Sequence, residues 1–502
     1  MSRDWLRRWP LGAVFLITLY GVLRQRTWSV DGCLHTLNSD HFMDHHTFSH
    51  LLLRPVCFLW ISIWKHAGVT THAQAYDALQ VLFAGLGVAA LTMLFAIARR
   101  RGGEAAAWIG LVCVAFARDA IRQITVFDEK PLGMVTFALA VLATARLFRS
   151  GDARAADPPG LRAVLPAAGA WLLAMFGHLQ NVPFALAFLV TLALWRPGAG
   201  TPRGRSVGLA VRAGLVMALV GLVLFTALHW QIGGLTAGAQ FVRSLLVDRQ
   251  APAPSASLVH LWLDALQGWV KAFFIVDRTS PTAFLWNAAV GFAVLALATA
   301  RGFARRRDAL GAMLLAGGLI LMVLMPVANA YPGYGDSYTM IILVAFVLLA
   351  TAPRRLLLAG AALVVIVNLP PVISYAYPSL TMQRNLAAMI EIQRARNAPW
   401  LVLEELAGFP GEQELVPVYY RMREDLRFIR CSFDDLPAGP CLIELPLLIG
   451  PGGVSDSTRV GNVQRELERR GRTVTRRRLW DPLRTVGADF HDYGHYLIVD
   501  PA

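Results

Sequence analysis

The sequence has little charge for its length, and acidic residues are the scarcer kind. Only 16% of the 502 residues are Asp, Glu, Lys or Arg, whereas roughly a quarter is usual in soluble proteins. Hydrophobic residues make up 56% of the chain, and the mean hydropathy is +0.49. This composition excludes an ordinary soluble domain and indicates a polytopic helical membrane protein.

Motifs typical of several other protein classes are also missing. The five cysteines form no CxxC pair, which argues against a zinc ribbon or a redox motif. The first apolar run has no small-residue cleavage site after it, so we expect a transmembrane helix there and not a signal peptide. No internal repeat is recognisable, although transporters are often built from repeated halves.

The net charge of +14 comes from 47 basic and 33 acidic residues. Most of the basic excess lies in short loops between apolar runs, where the positive-inside rule explains it. We therefore expect a cytoplasmic N-terminus and no nucleic-acid partner, because no basic face with interleaved aromatics occurs elsewhere. The basic loops are Arg99 to Arg101, 146–162, 196–205, 301–307 and Arg354 with Arg355.

The apolar runs predict an all-α polytopic membrane bundle of about eleven transmembrane helices. A run of about 20 mostly apolar residues is needed to span a bilayer. The runs centre near Phe15, Leu86, Leu111, Leu139, Leu172, Leu189, Leu219, Val294, Leu319, Ile342 and Val364.

Residues 28–68, between the first two spans, hold three aspartates and six of the twelve histidines. Ionisable groups beside a bilayer are costly unless they line a polar cavity, so this concentration marks the predicted site. Asp31 follows the first span at the membrane surface, where it would be a general base toward an acceptor hydroxyl. The alternative is a solvated loop aspartate that caps the next segment.

A metal site in the same loop is a further hypothesis. His41 and His45 are four residues apart, as are His46 and His50, and such pairs share a helix face. The HExxH pattern is absent. A divalent ion such as Mg or Mn, held by Asp40, Asp44 and His46, is one hypothesis for these residues.

Other predicted outer loops also carry polar groups. Residues 118–131 contain Arg122, Asp128, Glu129 and Lys130 directly before a span. Either Lys130, Arg122 and Arg118 hold a phosphate, or the segment is a solvated charged loop with internal salt bridges. Two further loops contribute His178 and Asp336.

After residue 375 the sequence changes character. An amphipathic helix over 380–396 and a polar helix over 460–470 accompany four short β-like runs at 415–420, 442–447, 473–479 and 496–499. We expect a transmembrane domain over residues 1–375 and a small extracytoplasmic α/β domain over residues 376–502. Cys431 and Cys441 are either bridged or free, since disulfides persist outside the cytoplasm.

Four stretches together resemble the GT-C superfamily of membrane glycosyltransferases, over roughly residues 1–375. Asp31 stands where these enzymes carry a catalytic Asp, in the long loop after the first helix. The run HHTFSHLLLRPVCFLWISIW is similar to the HHLLYxPLG-type stretch of one branch of these enzymes and places His50 on its histidine, whereas Arg54 stands where Tyr or Asn is usual before the proline. VFDEKPLGMVTFALAVLA, MFGHLQNVPFALAFL and ANAYPGYGDSY resemble later loops of the same branch.

The resemblance implies a sugar transfer from a polyprenyl-phosphate donor to an envelope glycan, lipid or protein at the outer face of a bacterial inner membrane. Asp31 would be the base, with Asp128 or Glu129 as the second acidic group. His50, Arg54, Lys130, Arg122, His178 and Asp336 would bind substrate. The alternatives from other classes are a transporter or flippase for a lipid-linked substrate and a non-catalytic partner in envelope assembly.

Overall fold

The structure is a computed structural model that is mostly helical, with a small sheet near the C-terminus. It describes residues 4–23, 36–37, 51–152, 160–195, 203–228, 258–275, 282–306, 308–328, 338–376, 380–403, 425–444, 457–478 and 495–501. By contacts the chain divides into two compact units. Unit 1 is Met1–Arg24, Asn38–Ile63 and Leu79–Ile373, and unit 2 is Gln25–Leu37, Trp64–Ala78 and Ser374–Ala502.

Fourteen of the described helices precede the C-terminal region. In chain order they are α1 Asp4–Val22, α2 Leu53–His66, α3 His72–Gly102, α4 Glu104–Ala115, α5 Arg118–Thr125, α6 Lys130–Asp152, α7 Leu161–Gly177, α8 Val182–Leu194, α9 Arg203–Leu228, α10 Leu258–Phe273, α11 Thr282–Arg305, α12 Ala309–Ala328, α13 Thr339–Leu349 and α14 Arg354–Ala376. The remaining elements are α15 Leu380–Arg396, β1 Trp400–Leu403, β2 Phe428–Cys431, β3 Cys441–Glu444, α16 Ser457–Arg469, β4 Arg472–Arg478 and β5 His495–Pro501.

The predicted membrane bundle is confirmed. Each of the eleven predicted span centres lies inside one of the helices of the bundle. Four described helical segments are long and apolar enough to cross a membrane by length and composition: His72–Gly102, Lys130–Phe148, Gly204–Ala227 and Leu285–Arg305. The helices α5 and α10 are amphipathic instead, as α10 shows by burying Leu261 and Ala265 while His260, Asp264 and Gln267 are exposed.

Large aromatic side chains fill the core of unit 1. Trp171 on α7 is fully buried and stacks near Phe184 of α8, with ring centroids 6.4 Å apart. Its indole nitrogen donates to Thr144 Oγ1 at 2.9 Å, so the buried N–H is satisfied within the bundle. Phe137 of α6 packs edge-on against the same Trp171 at 5.8 Å. These contacts fix α6, α7 and α8 against one another.

Asn368 on α14 joins the ends of two other helices, α4 and α10, through one buried side chain. Its Nδ2 donates to the backbone oxygens of Phe116 and Phe273, both at 2.7 Å. Its Oδ1 accepts from the backbone N–H of Ile275 at 2.8 Å. Backbone groups that lose their helical partners have no water available within an apolar bundle, so this side chain satisfies them instead.

The C-terminal part of unit 2 has a five-stranded mixed sheet with strand order β2-β1-β3-β5-β4. Strand β1 is parallel to β2 and β3, whereas β5 is antiparallel to β3 and β4. Leu467 of α16 is buried together with Leu401, Ile443 and Leu497 of the sheet. The chain turns after α16 at Gly471, which has a φ of 73°, as a glycine cap requires.

The sequence analysis missed two strands of this sheet. Helix α15, the helix near 460–470 and the last three strands were predicted close to their observed bounds, but β1 and β2 were not predicted. The run 415–420 lies outside the described residues. A strand of four residues such as Trp400–Leu403 is too short to show an alternating pattern.

Cys431 and Cys441 are buried free thiols. They belong to β2 and β3, and β1 lies between those strands. Two strands apart is about 9–10 Å across a sheet, beyond the roughly 7 Å between Cα atoms that a disulfide permits. The structure therefore has no disulfide between Cys431 and Cys441.

We expect Asn368→Leu to destabilise unit 1 by at least about 2 kcal/mol, because three buried backbone groups would lose their partner. The unfolding temperature of the purified protein in detergent measures this. Asn287→Leu is the matched control, since Asn287 is exposed on α11. An equal unfolding temperature for the two variants would contradict the structural role of Asn368.

We expect Cys441 to resist alkylation in the native protein at neutral pH. Burial raises the pKa of the Cys441 thiol to about 11, with Cys431 and Asp500 adding to the rise and Arg472 opposing it. The reactive thiolate is therefore scarce below that pH. Mass spectrometry after iodoacetamide treatment should find Cys441 labelled only after denaturation or near pH 11. A Cys431–Cys441 cross-linked peptide in a non-reducing digest would contradict this.

Candidate active site

The segment between α5 and α6 places three charged residues side by side. Helix α5 ends at Thr125, and Val126 is extended, with φ −115° and ψ 148°. Helix α6 then begins at Lys130 with Pro131 in its first turn, a position that proline tolerates because the N–H there needs no helical partner. Asp128 and Glu129 therefore stand at the helix N-terminus, where negative charge is favourable. We call residues 128–130 the acidic turn.

Asp128 is held on several sides. It is 4% exposed, and its Oδ1 accepts from the backbone N–H of Lys130 at 3.4 Å. With its amide nitrogen facing the carboxylate, Gln123 of α5 donates to Oδ2 at 3.0 Å and to Oδ1 at 3.3 Å. The position of this carboxylate is thus set by two neighbouring elements.

Lys130 lies between the two carboxylates of the acidic turn. Its Nζ is 3.5 Å from Asp128 Oδ1 and 3.8 Å from Glu129 Oε1. The side chains of Lys130 and Glu129 are each 11% exposed, and that of Asp128 is 5% exposed. A carboxylate accepts hydrogen bonds, so the chemistry of this turn suits donors such as sugar hydroxyls.

A third carboxylate in this region, that of Asp119, was not predicted as a site residue. Asp119 on α5 is fully buried and lies 3.3 Å from Arg118. Its Oδ2 accepts from Thr339 Oγ1 of α13 at 2.8 Å. One sequence signal could have indicated Asp119. In the motif RDAIRQ, Asp119 and Gln123 are four residues apart and therefore share a face of α5. Arg122 lies on another face and is half-buried.

His178 starts a short turn, Leu179–Asn181, between α7 and α8. Its Nδ1 accepts from the backbone N–H of Gln180 at 3.1 Å, so a neutral imidazole in this position carries its proton on Nε2. Asn181 Nδ2 donates to the backbone oxygens of Gly133 at 3.2 Å and Ala174 at 2.9 Å. These bonds fix the turn on α6 and α7.

Gly133 lets the acidic turn and the His178 turn approach each other. A Cβ at this position would be 2.5 Å from the Cβ of His178, so any larger residue would separate the two segments. Gly133 is in the first turn of α6, three residues after Lys130. The structure therefore brings His178 and the acidic turn to one end of the bundle.

Arg54 approaches the same end from α2. The backbone N–H of Leu52 donates to the backbone oxygen of Phe176 at 3.2 Å, two residues before His178. Arg54 follows two residues later and is only 2% exposed. A buried guanidinium group is rare unless it meets an anion or several acceptors, and Arg54 has an interaction partner within the chain.

Six predicted site residues lie outside the described part of the chain: Asp31, Asp40, Asp44, His46, His50 and Asp336. Within the described part, no group of three or more His, Cys, Asp or Glu residues is placed to hold a metal ion. The described residues that were predicted as site residues are Arg54, Arg122, Asp128, Glu129, Lys130 and His178. All of them except Arg122 are joined to one group of helices by the contacts above. Arg122 lies on α5.

No protein-family model matches the sequence, and no curated protein sequence matches it. Among solved structures, the chain is similar to ArnT from Cupriavidus metallidurans in the apo state, with a TM-score of 0.53 and 13% identity over 99% of this chain and 98% of that one. For the same protein bound to undecaprenyl phosphate, the TM-score is 0.53 at 12% identity, over 100% and 99% of the chains.

A weaker likeness is to the oligosaccharyltransferase of Archaeoglobus fulgidus in the apo form, with a TM-score of 0.43, 10% identity, and coverage of 94% of this chain and 69% of that one. The likeness to ArnT is enough to identify the fold, because it extends over nearly all of both chains. The chain therefore has the fold of that ArnT structure.

Proposed function

We propose that the protein is a membrane glycosyltransferase that moves a sugar from a polyprenyl-phosphate donor to an acceptor. The observation that carries this proposal is the GT-C fold, shared over the whole chain with an ArnT structure that holds undecaprenyl phosphate. A lipid-linked donor also fits a protein in which the acidic turn, His178 and Arg54 lie at one end of an apolar bundle.

In the proposed reaction, the Asp31 carboxylate takes the proton of the acceptor hydroxyl. The acceptor oxygen attacks the anomeric carbon of the donor sugar, and a new glycosidic bond forms with inversion. The bond from that carbon to the phosphate oxygen breaks, and the polyprenyl phosphate leaves with the bonding electrons. Asp31 stays protonated until it returns the proton to water.

The departing phosphate gains negative charge that must be stabilised. Arg54 and Arg122 are the proposed ligands, because a guanidinium group binds phosphate in a bidentate manner. Lys130 was also predicted as a phosphate ligand. Its contacts with Asp128 and Glu129 favour another role, in which it holds the two carboxylates apart and in place.

The acidic turn and His178 are the proposed sugar-binding groups. Glu129 is the carboxylate that we expect to contact a sugar hydroxyl, because its side chain is more exposed than that of Asp128. His178 would donate from Nε2. Gln180 Oε1 is a buried acceptor with no hydrogen-bond partner in the described part of the chain, so a hydroxyl donor beside His178 would relieve an unsatisfied group.

The proposal also includes the cellular location and the domain organisation of the protein. Residues 1–375 form the transferase domain in a bacterial inner membrane, with a cytoplasmic N-terminus, and residues 376–502 form a periplasmic domain. The acceptor is an envelope glycan, lipid or protein. His50 and Asp336 remain predicted substrate ligands. Asp40, Asp44 and His46 remain the predicted ligands of a divalent ion, which would offset phosphate charge.

We expect Asp31→Asn to lower the rate of sugar transfer by about 10²–10⁴-fold, the range for loss of a general base. Transfer is measured with the purified protein in lipid, a panel of labelled polyprenyl-phosphate sugars and crude envelope acceptors, with and without EDTA. Asp77→Asn is the matched control, because Asp77 is an exposed aspartate near the start of α3.

Full activity of Asp31→Asn would refute the assignment of the base. Failure of the wild type to transfer any sugar of the panel, combined with movement of a labelled donor across the bilayer, would replace the transferase with a flippase. Loss of transfer in EDTA that Mg or Mn restores would support the metal hypothesis.

We expect the two acids of the acidic turn to behave differently. Glu129→Gln should lower kcat/KM by roughly 10- to 100-fold through loss of a charge-assisted hydrogen bond, with little change in unfolding temperature. Asp128→Asn should also destabilise the protein, by about 2 kcal/mol, because Lys130 and Gln123 lose a buried acceptor. Transfer kinetics and thermal unfolding of both variants measure this difference.

Glu104→Gln is the matched control, since Glu104 is exposed at the start of α4. If Glu129→Gln transferred sugar as fast as Glu104→Gln, the proposed contact between Glu129 and the sugar would be wrong. If Asp128→Asn unfolded at the wild-type temperature, its positioning role would be wrong.

A further inference from the structure

A cleft at another part of unit 1 is lined mainly by arginine. The C-terminal ends of α3 and α11 meet the turn 350–352 between α13 and α14 there. The cleft has a volume of about 470 Å³, and its walls carry Arg101, Arg305, Arg306 and Arg354. We call it the arginine cleft. None of its residues was predicted as a site residue, and none belongs to the candidate active site.

Two glycines build the floor of the arginine cleft. A Cβ on Gly102 would overlap the backbone oxygen of Ala350, and a Cβ on Gly302 would overlap that of Leu348. Thr351 closes the same turn, with its Oγ1 donating to the backbone oxygens of Gly302 at 2.8 Å and Leu348 at 2.9 Å. The cleft is thus a formed feature of packed backbone, not a gap between mobile side chains.

One carboxylate, Asp308, serves two of the four arginines. Its Oδ1 and Oδ2 accept from Nη1 of Arg101 at 2.9 and 2.7 Å. Its Oδ2 also lies 3.1 Å from Nε of Arg306. Its Oδ1 also accepts from the backbone N–H of Gly311 at 2.7 Å, in the first turn of α12. Asp308 is therefore fully engaged, and it leaves the other two arginines uncompensated.

Arg305 and Arg354 form no salt bridge with any residue that the structure describes. Both are exposed on the wall of the cleft. Two guanidinium groups on one wall create a positive potential that attracts an anion. Their planar donor sets match the oxygens of a phosphate group.

The helix faces beside the cleft are apolar and exposed. On α11, Leu297, Arg301 and Arg305 follow one another at intervals of four residues, so they share one face. On α14, Leu358 follows Arg354 at the same interval. Leu297 is 48% exposed and Leu358 is 47% exposed. A ligand with a phosphate in the cleft and acyl chains along these faces would satisfy both surfaces.

We propose that the arginine cleft binds the phosphate group of an anionic phospholipid. Arg305 and Arg354 hold the phosphate oxygens, and Arg101 and Arg306, fixed by Asp308, add to the positive potential. By the positive-inside rule this end of the bundle faces the cytoplasm, where basic groups between helices meet anionic headgroups. The inference is independent of the sugar-transfer proposal.

The test is lipid binding by the purified full chain in detergent, titrated with phosphatidylglycerol and followed by native mass spectrometry. The double variant Arg305→Gln, Arg354→Gln should bind about 30-fold more weakly, the effect of two arginines at about 1 kcal/mol each. The matched control is Arg146→Gln, Arg162→Gln, which removes two exposed arginines of predicted basic loops. Thermal unfolding without lipid checks that both variants fold.

Two further ligands separate the sources of the phosphate. Phosphatidylcholine, which has no net charge, should bind weakly to all three proteins. If millimolar inorganic phosphate displaces phosphatidylglycerol from the wild type, the cleft takes phosphate but the source is not restricted to lipid. If the cleft variant and the control variant bind phosphatidylglycerol equally, the proposal is overturned.

Discussion

The candidate site depends on the hydrogen bonds that Asn181 makes to two other helices. Its amide nitrogen donates to the backbone oxygens of Gly133 on α6 and Ala174 on α7. In an apolar bundle such oxygens have no water to accept from, so the bonds hold the segments in one arrangement. They act together with the packing of Trp171 against α6 and α8, which holds the same helices. The small size of Gly133 then allows the contact to be close.

The same requirement explains why other polar side chains are buried in the bundle. Asn368 forms hydrogen bonds to three backbone groups at helix ends. Gln80 of α3 donates at 2.6 Å to the backbone oxygen of Thr125, where α5 ends. Each of these residues lies at a point where a helix stops within the apolar packing. A break in a helix is tolerated there only because a side chain supplies the missing partner. The breaks in turn place charged residues such as Asp128 and Arg118 at helix ends.

Helices of the bundle could be predicted from the sequence because the apolar runs are long and the periodicity is local. The clustering of Asp128, Glu129 and Lys130 was also visible, since three charges precede a span directly. Burial of Asp119 was not visible, because it depends on Thr339, 220 residues away. Strand β1 was missed for the same reason: its four residues gain their partner from β2, after an interval of more than twenty residues. Contacts between distant segments carry no local pattern.

Charge is handled in opposite ways at the two sites. In the acidic turn, Lys130 lies within 4 Å of both carboxylates, so opposite charges face each other at short range. In the arginine cleft, Asp308 compensates two arginines and leaves two without an acid among the described residues. Charges paired at short range discriminate between ligands by hydrogen-bond geometry, whereas charges of one sign without a partner attract any anion of suitable size. The first arrangement suits recognition of one sugar, and the second suits a headgroup that a bilayer supplies in excess. A single chain can therefore be selective at one site and permissive at the other without any difference in fold.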